Sequence, residues 1–177
     1  MKINHPGSHL DHLMRQTRMH HEQLSIMADT KANMLLTISS VMISLSVPHM
    51  FTVGPVGWAL LVLVFFSLIT VALAVYAVMP KIPYSTKSTA RPDLTNPRFN
   101  LLFFGDFTRL SYAEFEAAME ETMNDPSRTY EVQVREIYTL GAFLAAKKYR
   151  FLKLAYVALF TGLLGSVIAL FLSKALQ

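Results

Sequence analysis

Three stretches of the chain are apolar at nearly every position, and the segments between them are not. They run from residue 32 to about 47 (ANMLLTISSVMISLSV), over 56–79 (VGWALLVLVFFSLITVALAVYAVM) and over 151–173 (FLKLAYVALFTGLLGSVIALFLS). The second holds 24 residues without a charge. As a helix it reaches roughly 36 Å, enough to cross a hydrocarbon core of about 30 Å. The third carries only Lys153, close to its start, where a lysine can snorkel to the headgroups. The first is shorter and richer in Ser and Thr. It reaches only about 24 Å before Pro48, so it must borrow residues from 50–53 or depend on packing against protein. The pattern predicts three transmembrane helices, over 32–53, 56–79 and 151–173.

The remaining segments read as helix and loop, with poor strand signals. Leu10, Leu13, Met14, Thr17, Leu24, Met27 and Ala28 recur at helical spacing. No Pro or Gly interrupts residues 8–47, so one helix of roughly 40 residues, or about 60 Å, is predicted to run into the first crossing. Pro80 ends the second crossing, and the Pro, Ser and Thr of 81–97 make a loop. Residues 99–107 (FNLLFFGDF) are too apolar to face water. They are expected on the neighbouring helices, in the membrane interface or against another subunit. Ser111 and Glu114 form a capping box for a helix from Tyr112 to about Met123. Asp125 and Pro126 then restart a helix predicted over 126–173, with Gly141 as its weak point. The expected fold is an all-α integral membrane protein. It has three transmembrane helices, a long N-terminal cytoplasmic helix (1–31) and a helical cytoplasmic insert (80–150), forming one domain over 1–177.

Composition agrees: 53% of the 177 residues are hydrophobic and 16% charged, against roughly 25% charged in a soluble domain. With no cysteine, disulfides, thiolate metal sites and Cys nucleophiles are excluded. The net charge of +4 matters through its placement. Segment 1–31 carries Lys2, Arg15, Arg18 and Lys31, and segment 80–150 carries ten of the 16 basic residues, whereas the 48–55 link has none. By the positive-inside rule, the N-terminus and 80–150 are cytoplasmic and the C-terminus lies outside. This orientation accounts for the basic excess without nucleic acid. A cleavable signal peptide does not fit, because the first apolar run follows a polar segment with three acidic residues.

Chemistry-bearing motifs are sparse. His5, His9 and His12 lie at helical spacing, but His5 precedes Pro6-Gly7, and Ser25 stands where an HExxH motif would need its second histidine. No metal site and no enzyme are expected, since nucleotide-binding loops and nucleophile elbows are also absent. The informative polar group is Asp29, Asn33, Thr37, Ser40 and Ser44, which step by 4, 4, 3 and 4 residues along one helix face. Such a stripe either packs helices through small and hydroxylated residues or lines a water path in an oligomer. Lys31 reads as an interface anchor. In the last span, Ala158, Gly162 and Ser166 form a small-residue packing face.

Three stretches together resemble the Pycsar-effector transmembrane domain family over about 10–175. They are Ala28-Asp29-Thr30-Lys31-Ala32, the run NLLFFGDF at 100–107 with Leu110-Ser111 and its acidic helix, and Ile137-Tyr138-Thr139-Leu140 continuing to Lys147-Lys148-Tyr149-Arg150. The resemblance implies a bacterial inner-membrane effector of antiphage defence. Such an effector responds to a cyclic pyrimidine nucleotide from a partner cyclase and impairs the membrane as a homo-oligomer. There is no room for a fused nucleotide-binding domain, so a ligand site is expected within 1–31 and 80–150. Arg91, Arg98 and Arg109 are nominated for the phosphate and Tyr112 for stacking on the base. The alternatives are a non-enzymatic membrane anchor or scaffold for a soluble partner, and a small oligomeric channel.

Overall fold

A computed structural model describes residues 3, 6–52, 54–79 and 99–176, and all regular structure among them is helical. In chain order the helices are α1 (Ser8–Ser46), α2 (Pro55–Val78), α3 (Phe104–Phe107), α4 (Tyr112–Asn124), α5 (Pro126–Phe143) and α6 (Arg150–Ala175). A 3-10 turn (Val47–His49) follows α1, and a π-helical segment (Leu144–Tyr149) joins α5 to α6. Three helices are long and apolar enough to cross a membrane: Ser8–His49, Pro55–Val78 and Pro126–Ala175. Contacts divide the chain into two compact units. A polar unit comprises 1–23 and 80–143, and a membrane unit comprises 24–79 and 144–177.

In the membrane unit, α1, α2 and α6 meet through small residues. Ala28, Ala32 and Leu35 of α1 form one buried cluster with Ala74 of α2 and with Leu152 and Ala155 of α6. Lipid is as apolar as leucine, so association here depends on close approach, which alanine and glycine permit. Helices α2 and α6 run antiparallel. Tyr76 stacks edge-on to Phe151 at 4.4 Å, while the α carbons of Gly162 and Gly165 face Phe66 and Val62. Thr70 and Ser173 donate their hydroxyls to the carbonyls of Phe66 and Ala169, one turn back. The hydroxyls of Ser39 and Ser67 are buried without a partner.

Within the predicted span 32–53, α-helix covers 32–46. Its α-helix stops at Ser46 and its last turn ends at His49, while 50–52 are turn and bend. Pro48 explains the end, because it offers no N–H and its ring crowds the carbonyl four residues back. Gly54, at φ 117°, turns the chain into α2, whose first residue is Pro55.

In the polar unit, α4 and α5 form a hairpin. The predicted capping box is present: the Glu114 N–H donates to the Ser111 hydroxyl, and the Ser111 N–H donates to the Glu114 carboxylate. Asp125 accepts from the Ser127 N–H at 2.9 Å and starts α5. The apolar 99–107 segment docks on this hairpin. Phe99 and Leu101 are buried with Ala118, beside Phe115, Met119 and Val132. The predicted final helix is continuous from Pro126 to Ala175. Its departure from α geometry falls at Leu144–Tyr149, whereas Gly141 lies within α5.

Gly162 gives a direct test of the packing argument. A methyl group there would lie 2.5 Å from Phe66 Cβ. Gly162→Ala is expected to destabilise the membrane unit by about 1–3 kcal/mol. The measurement is thermal unfolding of the full chain in detergent, and an unchanged midpoint would contradict the close α2–α6 approach.

Candidate functional site

Helix α1 presents three distinct flanks at membrane depth. Ala28, Ala32, Leu35, Ser39 and Ser46 face the bundle and are buried. Met34, Ile38, Val41 and Leu45 form an exposed apolar flank suited to lipid. At about 100° per residue, Asn33, Thr37, Ser40 and Ser44 fall between these two, and all four are exposed. Thr37 satisfies its hydroxyl on the Asn33 carbonyl at 3.0 Å. The predicted stripe therefore faces out of its own bundle, and the three helices of this chain do not cover it.

Asp29 heads that flank, and here the structure adds a partner the sequence reading missed. Lys148 Nζ donates to both carboxylate oxygens of Asp29, at 2.7 and 2.8 Å, and to the Ser25 hydroxyl at 2.8 Å. The neighbouring Tyr149 hydroxyl donates to the Leu24 carbonyl at 3.0 Å. Both residues belong to the π segment. In the sequence Lys148 reads only as one of ten basic residues in 80–150. The signal that pointed to it was its place in the KKYR run just before the last span. Lys31 is exposed at the same level of α1. Ala158 and Gly162 are buried, while Ser166 is half-buried and bonds the Leu163 carbonyl.

The polar unit is organised by Asn100, which is 1% exposed. Its amide donates to the Thr139 hydroxyl at 2.9 Å, its side-chain oxygen accepts the Leu102 N–H at 3.0 Å, and its own N–H donates to Asp106 at 3.0 Å. Arg135 donates to the Phe99 carbonyl and to Glu131, each at 3.0 Å. Tyr130 donates its hydroxyl to Asp11 at 2.6 Å. That hydrogen bond, with burial and the carboxylate's charge, holds the phenol above its usual range. Arg18 lies 3.3 Å from Glu136, whose carboxyl burial pushes above the usual range while Arg18 opposes the shift.

Two cavities of about 320 Å³ open in this unit. The first places Arg128 and Arg135 opposite Phe99, Leu101 and Val132, although Arg128 pairs with Glu121 and Arg135 with Glu131. The second lies between Arg15, Arg18, Leu102 and Glu136. Of the four nominated ligand residues, Arg91 and Arg98 lie outside the described residues. Arg109 and Tyr112 are exposed and line neither cavity. His9 and His12 are exposed, His5 lies outside the described residues, and no group of three metal-ligating side chains occurs among those described.

Two substitutions test this unit. Asn100→Leu removes the acceptor of the Leu102 N–H and the donor to Thr139, whose hydroxyl keeps its bond to the Arg135 carbonyl, and is expected to cost about 1–3 kcal/mol, read as faster proteolysis within 99–143. Glu136 binds its proton more tightly when folded, so its contribution to stability declines as pH rises above the ordinary glutamate value of 4.5. Glu136→Gln should therefore raise the unfolding midpoint at neutral pH, and the gain should vanish below about pH 4. An equal gain at both pH values would refute the burial effect.

Comparison with known proteins adds one finding. No match appears among curated proteins or among solved structures. The model of the Pycsar effector protein domain matches residues 12–173. That match spans Asp29, the α1 flank, the Asn100–Asp106 clamp, Lys148 and all three crossings. The chain thus belongs to the Pycsar effector protein domain family, as a multi-pass membrane effector of antiphage defence.

Proposed function

We propose that this chain is the resting protomer of an inner-membrane effector in cyclic-nucleotide-linked antiphage defence. When triggered, it assembles with further copies through the polar flank of α1 and impairs the membrane. The observation that carries this reading is the position of Asn33, Thr37, Ser40 and Ser44: exposed, at membrane depth, and separate from both the packed and the lipid-suited flanks. An amide left in hydrocarbon costs several kcal/mol (about 2–7 by transfer data), so such a flank calls for water or the same flank of another copy.

The distribution of Lys and Arg supports a cytoplasmic N-terminus and a cytoplasmic 80–150 segment, with the C-terminus outside. In that orientation the polar unit meets the signal, a cyclic pyrimidine nucleotide from a partner cyclase. Its first cavity offers cations beside an apolar wall, Arg128 and Arg135 against Phe99 and Val132, for a phosphate and a base.

The test is membrane potential in cells carrying the chain and its cyclase, before and after triggering. Wild type is expected to depolarise only after the trigger. Asn33→Leu combined with Ser40→Leu should insert normally and reduce the depolarisation at least tenfold. If triggered wild type leaves the potential intact, the effector reading fails. If the double variant depolarises like wild type, the flank is only a packing surface.

A further inference from the structure

The ion pair at the head of the polar flank is the one salt bridge of the membrane unit among the described residues. We propose that Lys148 is a latch: it neutralises Asp29 in the resting protomer, and its departure leaves a carboxylate that draws cations into the flank. The inference rests on the effector reading above and names how that site is regulated.

Three observations carry it. The first is the geometry. Lys148 bridges both Asp29 oxygens and the Ser25 hydroxyl, using all three ammonium protons on α1.

The second is the unequal burial of the partners. The Lys148 side chain is 15% exposed and that of Asp29 is 43% exposed. Removing a partner from a fully buried pair strands a charge and is strongly unfavourable. Asp29 keeps access to water, so Lys148 can leave without stranding it. What remains is a unit negative charge one turn before Asn33, at the head of the polar flank. A charge at the mouth of a polar path raises the local cation concentration.

The third is the π segment. Such turns are rare and cluster at functional sites. In a regular α-helix, residues four apart drift by about 40° at each step, because a turn takes 3.6 residues. Leu144, Lys148 and Leu152 are four apart, yet Leu144 and Leu152 are only 3% and 4% exposed, and Lys148 between them reaches α1. The wider π turn absorbs the drift and keeps all three in line. Reversion of Leu144–Tyr149 to α geometry would turn Lys148 away from Asp29. The latch therefore sits on a wide turn that a return to α geometry would remove.

The experiment measures untriggered cation flux through the full-length chain in liposomes, alongside potential in triggered cells. Lys148→Met is expected to raise the untriggered flux at least tenfold over wild type. Asp29→Asn with Lys148→Met should return flux to the resting level, because the carboxylate is gone. The exchanged pair, Asp29→Lys with Lys148→Asp, should also stay closed. The chain contains no cysteine, so Ser40→Cys adds a structural readout. A water-soluble maleimide should label it at least tenfold faster beside Lys148→Met than alone. Equal flux from Lys148→Met and from Asp29→Asn with Lys148→Met would make the pair a structural brace and overturn the latch. Triggered wild type that depolarises cells while Lys148→Met stays silent would overturn the latch and leave the effector reading standing. Silence in both would remove the effector reading and the latch together.

Discussion

Polar groups inside a bilayer have no water to turn to, so each must be answered within the protein or by another molecule. That constraint orders the membrane unit. Thr37, Thr70 and Ser173 answer their hydroxyls on carbonyls one turn back. Asp29 is answered by Lys148 across to the neighbouring helix. The Asn33 side chain, exposed on α1, sets the terms on which this helix can sit in a membrane. A bundle closed by alanine and glycine supplies no polar cover for it. The small residues that let the helices approach leave these polar side chains on the exposed flank of α1.

The same accounting governs the polar unit, where the solvent is water and the problem is inverted. An apolar segment, 99–107, has to be hidden, and Phe99 and Leu101 are hidden on the α4–α5 hairpin. Burying that segment also buries its backbone, and Asn100 resolves the conflict. One side chain serves the Leu102 N–H and Thr139, while Asp106 reaches back to the Asn100 N–H. The NLLFFGDF run is therefore a folding element with its own clamp. Its phenylalanines at 99 and 107 are spent on internal contacts with α4 and α5 residues. This weakens a reading in which the segment is a free docking surface for a soluble partner.

Much of this was legible in the sequence, because periodicity and punctuation are local. The unbroken helix from Ser8, the end of α2 at Val78, the capping box at Ser111 and the restart at Asp125-Pro126 each depend on residues a few positions apart. The polar stripe was legible for the same reason, since a helix fixes which residues share a face. The Lys148–Asp29 bond joins residues 119 positions apart, and the π segment follows from how α6 must meet α1. Neither leaves a local trace beyond an ordinary run of basic residues. Which basic side chains share a cavity is not a local property either. Arg109 and Tyr112 have the right chemistry, but only tertiary structure shows that Arg128 and Arg135 are the ones gathered at a cavity.

Ser39 and Ser67 carry a last implication. Each hydroxyl is buried at membrane depth with no partner, a defect worth about 1–3 kcal/mol apiece. The closed arrangement of α1, α2 and α6 is therefore not the best packing these helices could have. Alanine at both positions would fit the same space without that cost. A water or a polar group that reached either hydroxyl would answer it.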